Sequence, residues 1–220
     1  MFTGLVETKG TLATRRPAGP GAVLAIECPS LGTLDLGESV SVDGCCLTVK
    51  KAAPGGFEAD ASAETLARTT LGTLRVGSPV NLERSVPLGG RMGGHLVTGH
   101  VDGVCSLASR APLGDSTSMT FTFPRPLARF IAEKGSVAVN GVSLTVNAAG
   151  AETFDAVIIP HTAEVTTLGE LVAGGRANLE VDVLARYVAR LLEVEKEQAG
   201  AEGERGDERL LAALRRAGYV

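Results

Sequence analysis

Apolar and polar positions alternate in short runs along most of this chain, which predicts strands with one buried face. The clearest run, VSVDGCCLTV at 40–49, returns as VAVNGVSLTV at 137–146, with six of ten positions identical at a spacing of 97. In each copy an Asx-Gly pair divides two apolar runs. Both residues of such a pair tolerate positive φ, so hairpin turns are predicted at Asp43-Gly44 and Asn140-Gly141. Alternation after the turn puts Cys46 and Thr48 on one face and Leu47 and Val49 on the other. Ser143 and Thr145 take the same polar face in the second copy, opposite Leu144 and Val146. One frame thus presents a polar doublet twice, the pattern of a duplicated module with two related pockets.

The repeat extends well beyond this hairpin. Thr65–Gly72 and Thr162–Gly169 agree at five of eight positions, Val80-Asn81-Leu82-Glu83 returns as Ala177-Asn178-Leu179-Glu180, and Phe2–Val6 returns as Val97–Val101 at an offset of 95. Strands are predicted at 11–15 and 22–27 around a turn at 17–21, another at 57–61, and a short helix over Glu64–Leu71. Short strands at close spacing with one brief helix per half predict a mainly β fold, a small closed Greek-key barrel made twice. The Gly-rich front of PLGGRMGGHLVTGH, residues 87–100, reads as the linker between the halves.

The tail departs from the alternation. Asp182 is a helix N-cap candidate, and Leu184, Tyr187, Val188, Leu191 and Leu192 recur three and four apart, so a helix with one apolar stripe runs to about Glu195. Residues 196–207, charged and Gly-containing, predict a solvated break before a last helix over Glu208–Arg216. With no core of its own left to fill, the stripe predicts packing on another subunit.

Composition narrows the class. The 220 residues suffice for two domains, and 28 Gly with 10 Pro suit tight turns. A net charge of −4 argues against a nucleic-acid surface, and 4% aromatics leave little for base stacking. Four cysteines without CxxC spacing give a zinc site little support, and the spacing of the three histidines fits no ligand pattern. MFTGLVE does not read as a signal peptide, and no apolar stretch reaches membrane-spanning length, so a reducing cytoplasm is the expected setting.

MFTGLVE, DGCCLTV, GGHLVTGHVDG, NGVSLTV, IPHT and NLEVD together resemble the riboflavin synthase alpha-chain family, in register through both halves. The resemblance implies two tandem, similar six-stranded Greek-key β-barrels plus a C-terminal α-helix that builds a homotrimer. The domains would be 1–94, 95–186 and a trimerisation helix and tail over 187–220. It implies a cofactor-free transferase reaction that ends riboflavin biosynthesis. Two 6,7-dimethyl-8-ribityllumazine molecules dismutate by transfer of a four-carbon unit, giving riboflavin and 5-amino-6-(ribitylamino)uracil. Working sites would lie between the N-terminal barrel of one subunit and the C-terminal barrel of its neighbour, and lumazine synthase enters as a candidate partner. A non-catalytic lumazine- or flavin-binding protein of the same fold is the alternative, and partners would include neither nucleic acid nor membrane.

The resemblance implies substrate contacts at Gly4, Leu5, Val6, Cys46, Leu47, Thr48, Asp60, Ala61, Ser62, Ala63, Glu64 and Thr65 in the first half. In the second it implies Gly99, His100, Val101, Lys134, Ser143, Leu144, Thr145, Val157, Ile158, Ile159, Pro160, His161 and Thr162. Gly4 and Gly99 would let a planar ring approach backbone, and the threonines would bind ring carbonyls or ribityl hydroxyls. Read alone, those threonines are strand residues serving their own backbone.

Positions that differ between the halves carry the candidate chemistry. Cys46, opposite Ser143 in the repeat, is a latent nucleophile or a neutral buried thiol, while Cys45 falls on the core face. His100 stands where the first half has Leu5 and could move the proton of the acidic methyl on lumazine ring carbon 7. His95, at the linker's end, and His161, in a loop over 157–162, have weaker claims. Lys134 replaces Gly37 and could stabilise anionic ring density; Asp182 replaces Ser85 and could hold ribityl hydroxyls or orient a partner across the subunit boundary. Ser41 could position a water that adds to ring carbon 7 of the acceptor. A solvated surface charge or a turn-flanking serine is the plainer reading of these three.

Overall fold

The structure, a computed structural model, describes the backbone of residues 1–216 and the side chains of residues 1–198, 211, 214 and 215. The first half contains β1 (Thr8–Ala18), β2 (Gly21–Glu27), β3 (Ser39–Val42), β4 (Cys45–Ala53), β5 (Gly56–Ala61), α1 (Ala63–Arg68) and β6 (Pro79–Arg84). The second repeats it as β7 (Gly103–Leu113), β8 (Ser116–Thr122), β9 (Ser136–Val139), β10 (Val142–Ala149), β11 (Thr153–Ile158), α2 (Pro160–Val165) and β12 (Arg176–Val181). Each half closes into a six-stranded antiparallel barrel, β1-β2-β5-β4-β3-β6 and β10-β11-β8-β7-β12-β9, the same cyclic order in both. Closure has no free edge, which removes the liability of unpaired strand backbone.

The predicted turns have the geometry their residues favour. Asp43 and Gly44 have φ of 46° and 79°, Asn140 and Gly141 of 46° and 76°, the doubly positive pattern that matches the twist of paired strands. Register shifts between Leu12 and Thr14 and between Val49 and Lys51 recur between Leu107 and Ser109 and between Val146 and Ala148. Such bulges bend strands at defined places and help a small sheet close. Cys45, Leu47 and Val49 point into the first barrel with Val40, Val42, Phe57 and Leu82, all under 4% exposed. In the second, Phe121 and Phe154 stack at 5.2 Å.

Two expectations are corrected. β1 runs through Pro17 to Ala18, where a turn was expected from residue 17, because its outer end pairs with β2 as far as Gly21. The solvated break expected over 196–207 is helical, and α3 is continuous over Val183–Arg216. Glu, Lys, Ala, Arg and Gln propagate helix well enough to carry a few glycines at roughly 1 kcal/mol each.

The strands of the two barrels fall on either side of residues 94/95, β1–β6 before and β7–β12 after. Met1–Val183 is one compact unit, and the helix from Leu184 onward belongs to a second. What joins the barrels is a seam in which the turns Asp43-Gly44 and Asn140-Gly141 abut so closely that a side chain on Gly44 would sit 2.8 Å from the Gly141 nitrogen. Asn81 Nδ2 donates to the Asn140 carbonyl at 2.9 Å, and Asn178 Nδ2 to the Asp43 carbonyl at 2.8 Å. The Asn81 and Asn178 side-chain oxygens accept from the backbone of Thr167 and Thr70, each at 2.7 Å. Each asparagine therefore belongs to one barrel and saturates polar groups of the other.

One position breaks the symmetry. Asn140 Nδ2 donates to Thr167 Oγ1 at 3.4 Å, whereas its counterpart Asp43 has no amide, and Thr70 Oγ1 is buried with no partner among the described residues. Burial pushes the Asp43 carboxyl up to about 7, the hydrogen bond from the Asn81 N–H acting the other way. The folded protein thus holds a proton that the unfolded chain releases above the ordinary value of 3.8, so this group withdraws stability as pH rises from there through about 7. Asp43→Asn should flatten that stretch of the stability–pH curve and stabilise the protein at pH 8 by on the order of 1–3 kcal/mol. Thermal melts from pH 4 to pH 8 check this, and a variant that tracks the parent throughout would refute it.

Candidate active site

The hairpins place Cys46 and Ser143 at equivalent points on the outer faces of β4 and β10, and a crossing segment from the other half covers each. The Cys46 N–H donates to the Gly99 carbonyl, and the Ser143 N–H to the Gly4 carbonyl, both at 2.9 Å. Gly99 and Gly4 have φ of 80° and 77°, and a side chain on either would meet Cys46 or Ser143 Cβ at 2.6 or 2.5 Å. Glycine is required here by the close approach of the opposite barrel's strand, whatever else lies against it. The segments also pair with each other, Phe2 with Val97, and Phe2, Val97 and Ala138 form a fully buried cluster against which Cys46 packs.

At the first barrel this makes a cleft of about 310 Å³, at the small end of ligand pockets of roughly 300–1,000 Å³. Cys46 and Cys45 lie at its base, Ser62, Glu64, Thr65, Arg68 and Thr69 come from α1 and its ends, and Gly99, His100 and Val101 from the crossing segment. His100 therefore joins Cys46 at the first barrel, although it belongs to the second half. Ser62 caps α1, its Oγ accepting the Thr65 N–H at 3.0 Å and lying 3.0 Å from Thr65 Oγ1. The equivalent helix α2 opens on Ile159, which has no side chain able to cap, with Pro160 as its first residue, where the missing N–H costs nothing and the fixed φ suits a helix start. Ile159 is 55% exposed, so the lip is polar in the first barrel and apolar in the second.

The second barrel's site is overlain by the linker. Gly94 lies against Thr3 and Ser143, and Gly93 beside Leu5. His95 Nδ1 is 2.8 Å from Ser143 Oγ, while its Nε2 is buried with no hydrogen-bond partner among the described residues. Burial holds the His95 imidazole below its ordinary value, with the Asp182 charge acting in the opposite sense. The contact fits either an Nδ1 that accepts the serine hydroxyl or an Nδ1–H that donates to it, and a neutral imidazole is the form able to take up a proton.

The remaining sequence candidates fall into three groups. Leu47, Ala61, Leu144 and Ile158 are buried, with Leu47 and Ala61 in the first barrel's core, so their side chains are not available to a ligand in a cleft. Leu5, Thr48, Asp60, Ala63, Thr145, Pro160 and His161 are exposed, Val6, Val157 and Thr162 half-buried, and Asp60 pairs with Lys50 at 2.8 Å. Pro160, His161 and Thr162 lie in α2, not in the expected loop.

Ser41 and Lys134 are placed apart from the cleft. Ser41 is 2% exposed in the seam, its Oγ within 3.3 Å of where a side chain on Gly141 would sit. Lys134 is exposed at a turn with φ of 64°, which explains why its counterpart is Gly37 at φ 85°.

Phe2, Arg68, Glu83 and Glu180 are not among the residues singled out in the sequence, and the contact of His95 with Ser143 is not visible there. The repeated Asn-Leu-Glu and the aligned Phe2-Thr3-Gly4 and Val97-Thr98-Gly99 were the available signals.

The lumazine binding domain family matches residues 3–85 and again 98–182. Over 198 residues the chain is 48% identical to riboflavin synthase of Mycobacterium bovis (strain ATCC BAA-935 / AF2122/97), covering 87% of this chain and 98% of that protein. The chain belongs to the riboflavin synthase family. Riboflavin synthase of Brucella abortus (strain 2308) is 45% identical over 202 residues, 89% of this chain and all of that one. Among solved structures, LumP complexed with riboflavin superposes with a TM-score of 0.76 at 25% identity, covering 82% of this chain and 99% of that one.

Within a riboflavin synthase frame, His95→Gln should remove the acidic limb of the pH–rate profile, whose midpoint lies below the ordinary imidazole value of 6.5. An acidic limb that persists unchanged in the variant would exclude His95 as the base.

Proposed function

We propose that this chain is a riboflavin-forming transferase that dismutates two molecules of 6,7-dimethyl-8-ribityllumazine. One molecule gives up a four-carbon unit and leaves as 5-amino-6-(ribitylamino)uracil; the other gains it and leaves as riboflavin. The two products together contain every atom of the two substrates, so the reaction needs no external oxidant or reductant. The observation that supports this most is the pair of frames with unlike chemistry: Cys46 with His100 in one, Ser143 bonded to His95 in the other. Identical substrates held in the same way would meet different proton donors and acceptors, as unlike donor and acceptor roles require.

In this reading the His95–Ser143 pair takes the proton of the 7-methyl group, and Cys46, His100 and Thr65 handle the partner ring in the first barrel's cleft. Asp182, whose charge acts on His95, favours the imidazolium formed when the proton is taken. Lys134 does not line the first barrel's cleft, which is consistent with a site shared between the first barrel of one chain and the second barrel of another. The helix supports such an assembly, since Leu184, Tyr187, Val188, Leu191 and Leu192 are each more than 50% exposed along it. A cytoplasmic homotrimer is the form proposed. No helix among the described residues is long and apolar enough to cross a membrane.

Incubating the protein with 6,7-dimethyl-8-ribityllumazine should yield one riboflavin and one pyrimidine per two lumazines consumed, followed by absorbance and chromatography. Tight binding without turnover would instead make it a ligand-carrying relative. Deleting residues 187–220 should dissociate the trimer and abolish turnover; a truncated chain that stays trimeric by light scattering would rule out the helix as the assembly element.

A further inference from the structure

Glu83 and Glu180 stand in the repeated Asn-Leu-Glu of β6 and β12, and only 4% and 3% of their surface is exposed. Burying a carboxylate is unfavourable unless its oxygens are well bonded. Among the described residues neither has a cation beside it. Instead, Glu180 Oε1 accepts the Thr98 N–H and the Thr98 hydroxyl at 2.7 Å each, and Oε2 accepts the Gly99 N–H at 3.0 Å. Glu83 Oε1 accepts the Thr3 N–H at 2.7 Å and its hydroxyl at 2.9 Å, and Oε2 the Gly4 N–H at 3.0 Å. Both carboxylates spend these bonds on a crossing segment.

The far side of each segment touches a pocket of the opposite barrel. Gly99, held by Glu180 of the second barrel, accepts the Cys46 N–H at the first barrel's cleft. Thr98 Oγ1 also accepts the His100 N–H at 3.3 Å, so the same grip aims His100. Gly4, held by Glu83 of the first barrel, accepts the Ser143 N–H at the second. The Thr3 carbonyl accepts the His95 N–H at 3.2 Å.

We propose that Glu180 and Glu83 are crosswise positioning residues. Glu180, on a strand of the second barrel, sets the Cys46–His100 cleft of the first; Glu83, on a strand of the first, sets the Ser143–His95 pair of the second. The catalytic consequence rests on the reaction proposed above, whereas the geometric content does not. A neutral glutamine cannot replace either group, because all three partners are donors and its amide would face one of them with a further N–H. Differences in pocket geometry on this scale are enough to separate a productive from an unproductive approach of reacting groups.

The test uses Glu180→Gln and Glu83→Gln in the full chain, with two reporters that do not depend on turnover. Cys46 is the half-buried cysteine and the other three are buried, so its alkylation by iodoacetamide reports on the first barrel's cleft. The titration midpoint of the His95 ring proton in NMR spectra reports on the second barrel's site. Expected is a crossed pattern: E180Q speeds Cys46 alkylation roughly fivefold or more and leaves the His95 midpoint in place. E83Q moves the His95 midpoint toward the ordinary imidazole value and leaves Cys46 alkylation within about a factor of two.

Each variant disturbing the pocket of its own barrel, both disturbing both reporters alike, or neither disturbing either would overturn the proposal. If E180Q does not fold, Thr98→Val removes one of its three bonds and should give the same sign at smaller size; unchanged alkylation there also overturns it. A crossed pattern in a protein that forms no riboflavin would sink the proposed reaction and leave the positioning role standing.

Discussion

Backbone polar groups at the seam between the two barrels are out of reach of water, and the rest of the structure depends on how they are satisfied. Two hairpin turns press Gly44 against Gly141, and nothing larger than glycine fits there. That approach leaves the carbonyls of Asp43 and Asn140 and the N–H groups of Thr70 and Thr167 facing the opposite barrel. Asn81 and Asn178, with one acceptor and two donors each, are the side chains that can meet a carbonyl and an N–H at once. A buried polar group left without a partner is unfavourable by about 1–3 kcal/mol, so the four bonds make the paired arrangement specific as well as stable.

The seam also decides where the pockets can be. Because the barrels meet turn to turn, the segments leading into β1 and β7 must pass across the axis between them, where Phe2 pairs with Val97. Each passes over the outer face of the opposite barrel's fourth strand, beside Cys46 or Ser143. A pocket built in this way belongs to neither half alone. Met1–Val183 accordingly forms one compact unit, in which the two closed barrels share their crossing segments.

Much of this was legible in the residues. The Asx-Gly pairs and the alternation around Cys46 and Ser143 specify turn, strand and facing, because a period of two and a turn needing positive φ are local properties. Cys45 on the core face follows from the same parity. What local pattern cannot carry is which segment covers which strand. Gly4 lies in the same half as Cys46, yet its contact is Ser143, a pairing across 139 residues visible only in three dimensions. Ser41 has the look of a turn-flanking polar residue, but its surroundings are the seam. A histidine ending a Gly-rich linker gives no sign of which side chain it will meet, and the contact of His95 with Ser143 appears only in the fold. Charge and glycine over 196–207 suggest a break, but the helix propensity of the residues between them carries α3 through.

A duplicated fold begins with two equivalent sites, and here the backbone keeps them equivalent: the same bulges, the same crossing glycines and the same buried glutamates serve both. Whatever distinguishes them must then lie in side chains and in the linker. A thiol faces a hydroxyl across the repeat, a capped polar helix start faces an exposed isoleucine, and His95 closes over one site only. On the proposed reaction, a shared frame secures the common part of two identical substrates, their ring and ribityl chain. The few unlike groups are then free to impose opposite proton-transfer roles. A single barrel, used twice by symmetry alone, would present the same groups to both molecules and could not tell donor from acceptor.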